Sequence, residues 1–214
     1  MGEYKARTSL KSSKAHSYHA RKMAPPVPGA SNLTALLQSA PTAGNATLVR
    51  CPSQMLARLR QLNDAEVITL FTPFVPHPPG TALAKNMDPF EPLGRSFPRK
   101  VRHVPYRLDH GMTEMHIDFL PPSGAIVVVI CSTQNVIEHN HHAFEQQLKF
   151  CRDVAGRISG NKSLVDAPFI LLLVTNGIAK QNHEIDVRDF PALVTIDDYS
   201  TAALANAVRA MFGQ

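Results

Sequence analysis

Three observations predict an α/β domain. Residues 125–130 read Ala-Ile-Val-Val-Val-Ile, a β-branched run with no polar break, which marks a strand buried on both faces. From about Asn140 the period becomes helical: Phe144, Leu148, Cys151, Val154 and Ile158 recur three or four apart on one face. Two further apolar runs follow, at 169–174 and 193–196, the first stopped by Asn176-Gly177 and the second preceded by Phe190-Pro191. Buried strands alternating with an amphipathic helix make a layered α/β core.

Taken in order, the chain opens with residues 1–31, polar and basic and then proline-rich at Pro25, Pro26 and Pro28. Three readings of this arm stay open: a solvated tail, a mitochondrial targeting segment, and an arm laid on a phosphate backbone with Tyr4 and Tyr18 available to stack on bases. A short amphipathic helix is expected over 33–38, and a helix of two to three turns starts at Ser53, with Met55, Leu56, Leu59 and Leu62 inward. Residues 67–71 fit a strand or a helix end. Residues 72–98 carry seven prolines, studded by Phe74, Phe90 and Phe97, and read as an aromatic strap laid along a partner. Residues 99–107 are basic and extended. Alternation over 113–120, with Met115, Ile117 and Phe119 opposite Glu114, His116 and Asp118, predicts a strand that turns at Pro121-Pro122-Ser123-Gly124 into 125–130 as a hairpin. A last helix, capped by Asp198 or Ser200, carries Leu204, Val208 and Met211 inward. The domain organisation is therefore an arm at 1–31, short helices and strap at 32–98, and the α/β domain at 99–214.

At 214 residues and 44% hydrophobic, the chain is long enough for one substantial core. The net charge of +5 lies in residues 1–25, where six cations face Glu3 alone; beyond them 16 cations balance 16 acids. Basicity belongs to the arm. Cys51, Cys131 and Cys151 form no CxxC pair, which points to free thiols and a reducing compartment. No apolar run reaches the ~18 residues of a membrane span.

The C-terminal order of strand, helix, strand, Pro, strand, helix resembles the thioredoxin fold, a three-layer domain, over about 110–212. Pro191 in Val187–Val194 would take the place of that fold's cis-proline. Within it the chain looks most like the degenerate mitochondrial branch, on Pro168, 169–174 and Asn176-Gly177. That branch supplies structural proteins to the mitochondrial ribosome and an accessory subunit to respiratory complex I; thioredoxin-like assembly factors of ATP synthase are a second comparison. A rival resemblance is to the restriction-endonuclease core. Asp118 would then be its first metal-binding acid, but Ile130, Cys131 and Ser132 stand where a second acid and a lysine should be.

Three constellations could carry chemistry. Cys131 ends the central strand ahead of a helix, where a thiolate would be activated, but Gln134 replaces the second cysteine and Cys151 lies on an apolar helix face. His141 and Glu145, or His142 and Glu145, share a helix face and could hold a metal with His139 or His116 as third ligand; solvated first-turn residues, Glu138 among them, are the competing reading. Asp197 and Asp198, with Asp186 and Asp189 nearby, could do acid–base work, though adjacent aspartates at a helix start are more often caps. No phosphate-binding glycine loop or nucleophile elbow occurs.

The expectation is then a non-enzymatic, RNA-binding structural subunit of a large mitochondrial assembly, foremost the mitochondrial ribosome. It would need no cofactor, metal or small-molecule substrate. Its partners would be ribosomal RNA and neighbouring proteins, with Lys5, Arg7, Lys11, Lys14, Arg21, Lys22, Arg99, Lys100, Arg102 and Arg107 on phosphates. The alternatives are a thioredoxin-like assembly factor or respiratory accessory subunit, and a protein-only structural or cytoskeletal subunit, mitochondrial or cytoplasmic.

Overall fold

The computed structural model describes residues 28–40, 46–177 and 179–213. Its elements in order are α1 (Pro28–Gln38), β1 (Thr47–Arg50), α2 (Ser53–Arg60), β2 (Ile68–Pro73), α3 (Glu91–Ser96), β3 (Val101–Tyr106), α4 (Glu114–Asp118), β4 (Ala125–Cys131), α5 (Gln134–His139), α6 (Ala143–Ser159), β5 (Phe169–Val174), α7 (Ala179–Asp186), β6 (Leu193–Ile196) and α8 (Thr201–Phe212).

The six strands form one mixed sheet in the order β1-β6-β5-β4-β2-β3. Only β1 runs antiparallel, on β6; every other neighbouring pair is parallel. The apolar runs are central strands because they are covered on both faces: all residues of β2, β4, β5 and β6 are buried. The alternate residues of β4 divide between two cores. Ala125, Val127, Val129 and Cys131 pack with Leu59 and Leu62 from the α2 segment, Leu93 of α3 and Leu204, Val208 and Met211 of α8. Ile126, Val128 and Ile130 pack with Leu148, Cys151, Val154 and Ile158 of α6. Each buried Val, Leu, Ile or Met side chain contributes about 1.5–3 kcal/mol by leaving water. The result is a three-layer α/β sandwich. The edge strand β3 is half-wet and carries Pro105, which has no donor to offer and is tolerated at an edge.

Two expectations for this region are corrected. Residues 113–120 are not a strand: Thr113 N donates to His116 Nδ1 at 3.0 Å, and this local bond closes a helical turn, α4, that buries His116 and leaves Met115 55% exposed. The hairpin into β4 is therefore absent, and with it the core that the endonuclease reading required. The thioredoxin-like order also fails. Residues 68–71 belong to β2, which lies between β3 and β4; α7 separates β5 from β6, and those two strands run parallel. Pro191 replaces no cis-proline, since no peptide bond among the described residues is cis.

Residues 72–98 are packed into the molecule. Val75, Leu83, Phe90, Leu93 and Phe97 are buried, Phe90 stacks on Tyr199 at 5.6 Å, and Phe97 meets Phe212 edge-on at 6.0 Å. Gly124, which leads into β4, has to be glycine: a Cβ there would lie 2.7 Å from Glu66 Cβ.

Candidate functional site at the carboxyl edge of the sheet

After β2 the chain winds outward to β3 on one side, then to β4, β5 and β6 on the other. The strand order reverses between β2 and β4, and in open α/β sheets ligands settle outside the carboxyl ends at that point. Here the two strands part. Pairing runs from Ile68↔Ala125 to Phe71↔Val128 and stops, while β2 stays with β3 to Pro73↔Tyr106 and β4 with β5 to Cys131↔Val174. The main-chain groups of β4 that face the gap are satisfied by side chains. Tyr106 Oη donates to the Val129 carbonyl at 2.8 Å, and Gln147, fully buried, bonds both the N–H and the carbonyl of Cys131. Tyr106 lies flat on Phe150 with ring centres 3.7 Å apart, and burial raises its phenol well above the usual range, so it remains a neutral donor.

Above the gap, the loop after β2 is clamped by polar residues that follow the other strands. Tyr199 Oη donates to Pro76 O at 2.8 Å; Asn135 Nδ2 donates to Tyr199 Oη at 2.7 Å and to His77 O at 3.3 Å; Thr133 Oγ1 donates to Asn135 Oδ1 at 2.8 Å. Burial pushes the Tyr199 phenol up to about 12. Beside this clamp lies a groove of about 540 Å³, walled by Pro78 and Pro79, by Gln134, Asn135 and Glu138 of α5, and by Asn176, Asp198, Tyr199 and Ser200. Its lining is carboxamides, hydroxyls and two carboxylates, with no cation among the described residues. Asn176 Oδ1 accepts from Gln134 N at 3.3 Å, and Asp198 Oδ1 from Ser200 N at 2.7 Å, which fixes both side chains at the rim.

Deeper in the same edge, Ser132 Oγ and Thr175 Oγ1 lie 2.9 and 3.2 Å from His183 Nδ1, and the imidazole stacks on Phe144 at 3.8 Å. Burial lowers the His183 pKa, opposed by Asp186 and Glu145. Ser132 is 2% exposed, so this pair anchors α7 to the strand ends and offers no reachable nucleophile. Cys131 is fully buried and its thiol is pushed up to about 12; Cys151 is also buried and raised well above its usual value. Burial thus disfavours the thiolate that redox chemistry requires.

Of the residues expected to contact phosphates, four lie among the described residues. Lys5, Arg7, Lys11, Lys14, Arg21 and Lys22 lie outside the described residues. Arg99 pairs with Asp64 at 3.8 Å, Arg102 lies 5.0 Å over the Phe119 ring, Arg107 pairs with Asp109 at 2.9 Å, and Lys100 is exposed at the opposite, amino end of β3 from Arg107. His139 ends α5, whereas His141 and His142 precede α6 and Glu145 lies within it. No group of three metal-ligating side chains is brought together among the described residues. Of the two caps offered for the last helix it is Ser200 that caps α8, its hydroxyl accepting from Ala203 N at 3.3 Å, while Asp198 accepts from the Ser200 N–H and Asp197 pairs with Lys180 at 2.7 Å. The residues that sequence reasoning passed over are Asn135, Gln147, Asn176, His183 and Tyr199. A signal existed: β4, β5 and β6 are each followed by a polar cluster, at 132–135, 175–176 and 197–200.

No family model matches the chain, and no curated protein does. Solved structures with a similar fold do exist. One is a fungal multi-domain family 3 β-N-acetylglucosaminidase that contains a GCN5-related glucosamine N-acetyltransferase region. It has a TM-score of 0.53 and 14% identity, covering 78% of this chain and 16% of that one. Others are a family 3 β-N-acetylglucosaminidase from Paenibacillus sp. str. FPU-7 (TM-score 0.48, 14% identity, 79% of this chain and 28% of that one) and the Listeria innocua β-glucosidase in complex with isofagomine (0.45, 15%, 78% and 24%). This chain spans less than a third of the length of each. The likeness is one of fold, and it overturns the resemblance to mitochondrial ribosomal and complex I subunits. The expectation of a non-catalytic mitochondrial ribosomal subunit rested on that resemblance and falls with it.

Proposed function

We propose that this chain is the saccharide-binding α/β domain of a glycoside-processing enzyme, with the sugar held in the groove beside the Asn135–Tyr199 clamp. The observation that carries this reading is the groove's lining. A saccharide presents many hydroxyl donors and little charge, and the groove answers with the carboxylates of Glu138 and Asp198, the carboxamides of Gln134 and Asn176, and the Ser200 hydroxyl. Nucleotides and other phosphates suit it poorly. Pro76, Pro78 and Pro79 remove donors from the first loop, so it cannot cradle an anion with backbone N–H groups, and the carboxylates repel one. A fold similar to that of a β-N-acetylglucosaminidase supports the choice of ligand class. Cleavage of a glycosidic bond uses a pair of carboxyl groups flanking it, and Glu138 and Asp198 are the pair that faces this groove.

The test is calorimetric titration of the full chain with N-acetylglucosamine and its β-1,4 disaccharide, alongside the Asn176→Ala variant. Saturable binding, roughly millimolar and lost in the variant, is expected. Absence of binding to either sugar overturns the reading.

A further inference from the structure

A second groove opens on the other side of α5, and the observations there differ in kind. Strands β2 and β3 end level at Pro73↔Tyr106, and beyond them the loops beginning at Phe74 and Arg107 supply two walls of the groove. Val136, His139 and Asn140 of the α5 segment form the third wall, and the space enclosed is about 650 Å³. This is the size of a small-molecule site, mostly apolar with a few polar groups. Val75 and Val136 give it a buried apolar floor, with Leu108 beside them.

Phe74 is the unusual wall. It is 72% exposed, the most exposed of the large hydrophobic side chains among the described residues. Its neighbours are buried, and its backbone is fixed: Pro73 precedes it, Pro76 follows closely, and its N–H donates to Tyr106 O at 2.9 Å. A large aromatic ring is thus displayed on a rigid segment at the mouth of a groove. Facing it at the rim, Arg107 Nε and Nη2 donate to Asp109 Oδ1 and Oδ2 at 3.1 and 2.9 Å. This two-point fork uses one edge of the guanidinium and leaves the second Nη2 hydrogen as a donor beside the outer lone pairs of Oδ2. Donor and acceptor stand side by side, and their charges cancel.

We propose that this groove is a second ligand site, separate from the saccharide groove, which takes an uncharged aromatic ring bearing a group that both donates and accepts, such as a primary carboxamide. The ring stacks on Phe74 over the apolar floor, as aromatic pairs do when offset or edge-on. The substituent meets the Arg107–Asp109 fork, its carbonyl accepting from Arg107 and its N–H donating to Asp109. A carboxylate or an ammonium on the same ring would satisfy one member of the fork and be repelled by the other.

Ligand-detected NMR titration of the full chain with benzamide, benzoate and benzylamine tests this. Benzamide is expected to bind most tightly, with Phe74→Ala weakening it on the order of tenfold and Phe74→Tyr keeping it. Because Phe74 is exposed, both variants should fold. N-acetylglucosamine, titrated into the same variants, is expected to bind as it does to the unaltered chain, so the two sites are read independently. Benzamide affinity unchanged in Phe74→Ala, or benzoate or benzylamine binding as tightly as benzamide, overturns the proposal.

Discussion

The carboxamide of Gln147 holds both main-chain groups of Cys131: Cys131 N donates to Oε1 at 2.7 Å, and Nε2 donates to the Cys131 carbonyl at 2.8 Å. A glutamine on α6 here does what a neighbouring strand would do, at the place where β2 has turned away. Because the site is fully buried, no water can take over these bonds. Gln147→Leu should therefore cost about 2–5 kcal/mol, the penalty for two buried groups left without partners. Gln147→Glu should cost less in acid than at neutral pH, since only the protonated carboxyl can both donate and accept. Denaturant unfolding at two pH values checks both.

Burial depresses the pKa of His116 and of His183. In the unfolded chain each returns to about 6.5, so in acid the unfolded state binds more protons than the folded one. The stability these neutral rings confer is whole above about pH 6.5 and is lost as the pH falls toward their depressed values. Unfolding midpoints measured between neutral pH and pH 5 should decline, and His183→Asn should flatten part of that slope. An equal slope in the variant would remove His183 from the account.

Cys131 and Cys151 are buried with raised pKa values, while Cys51 is half-buried and its thiol is raised only by its own burial, with Arg60 opposing. Iodoacetamide at mildly alkaline pH should label one thiol of the native protein. Mass spectrometry should place the label on Cys51, and denaturant should release the other two. Rapid native labelling of Cys131 would contradict the packing around Gln147.

Tyr199 Oη links the loop after β2 to α5, donating to Pro76 O and accepting from Asn135 Nδ2. Tyr199→Phe keeps the ring on Phe90 but removes both bonds, at about 1–3 kcal/mol. Limited proteolysis should then cut within residues 74–82, a stretch expected to resist in the unaltered protein. Cleavage there before the substitution would mean that the clamp does not hold the loop.

The legible parts of the fold were those with a single dominant physical cause. Residues 125–130, 169–174 and 193–196 are continuous apolar runs, and each is a buried parallel strand. α6 and α8 repeat apolar residues over three or more turns. Some short elements were not legible. α4 follows an alternating pattern that suits a strand equally well, until Thr113 N reaches His116. α5 and α7 are short and polar, with little apolar period to read. The site was read least well, because its residues are ordinary polar types scattered over three strand ends.

The sequence by itself determined that the chain is α/β, where the strands β4, β5 and β6 and the long helices lie, and that Cys131 stands at the end of one of those strands. These follow from composition and period along a few turns of chain, which local sterics and burial alone impose. Only the tertiary structure decided that β2 pairs with both β3 and β4, that the strand order therefore reverses between β2 and β4, and that Asn135, Tyr199 and Pro76 meet above that gap. Such pairings join residues far apart in the chain. Their choice depends on which buried faces fit together and which main-chain groups still need partners, and no local window of sequence records that.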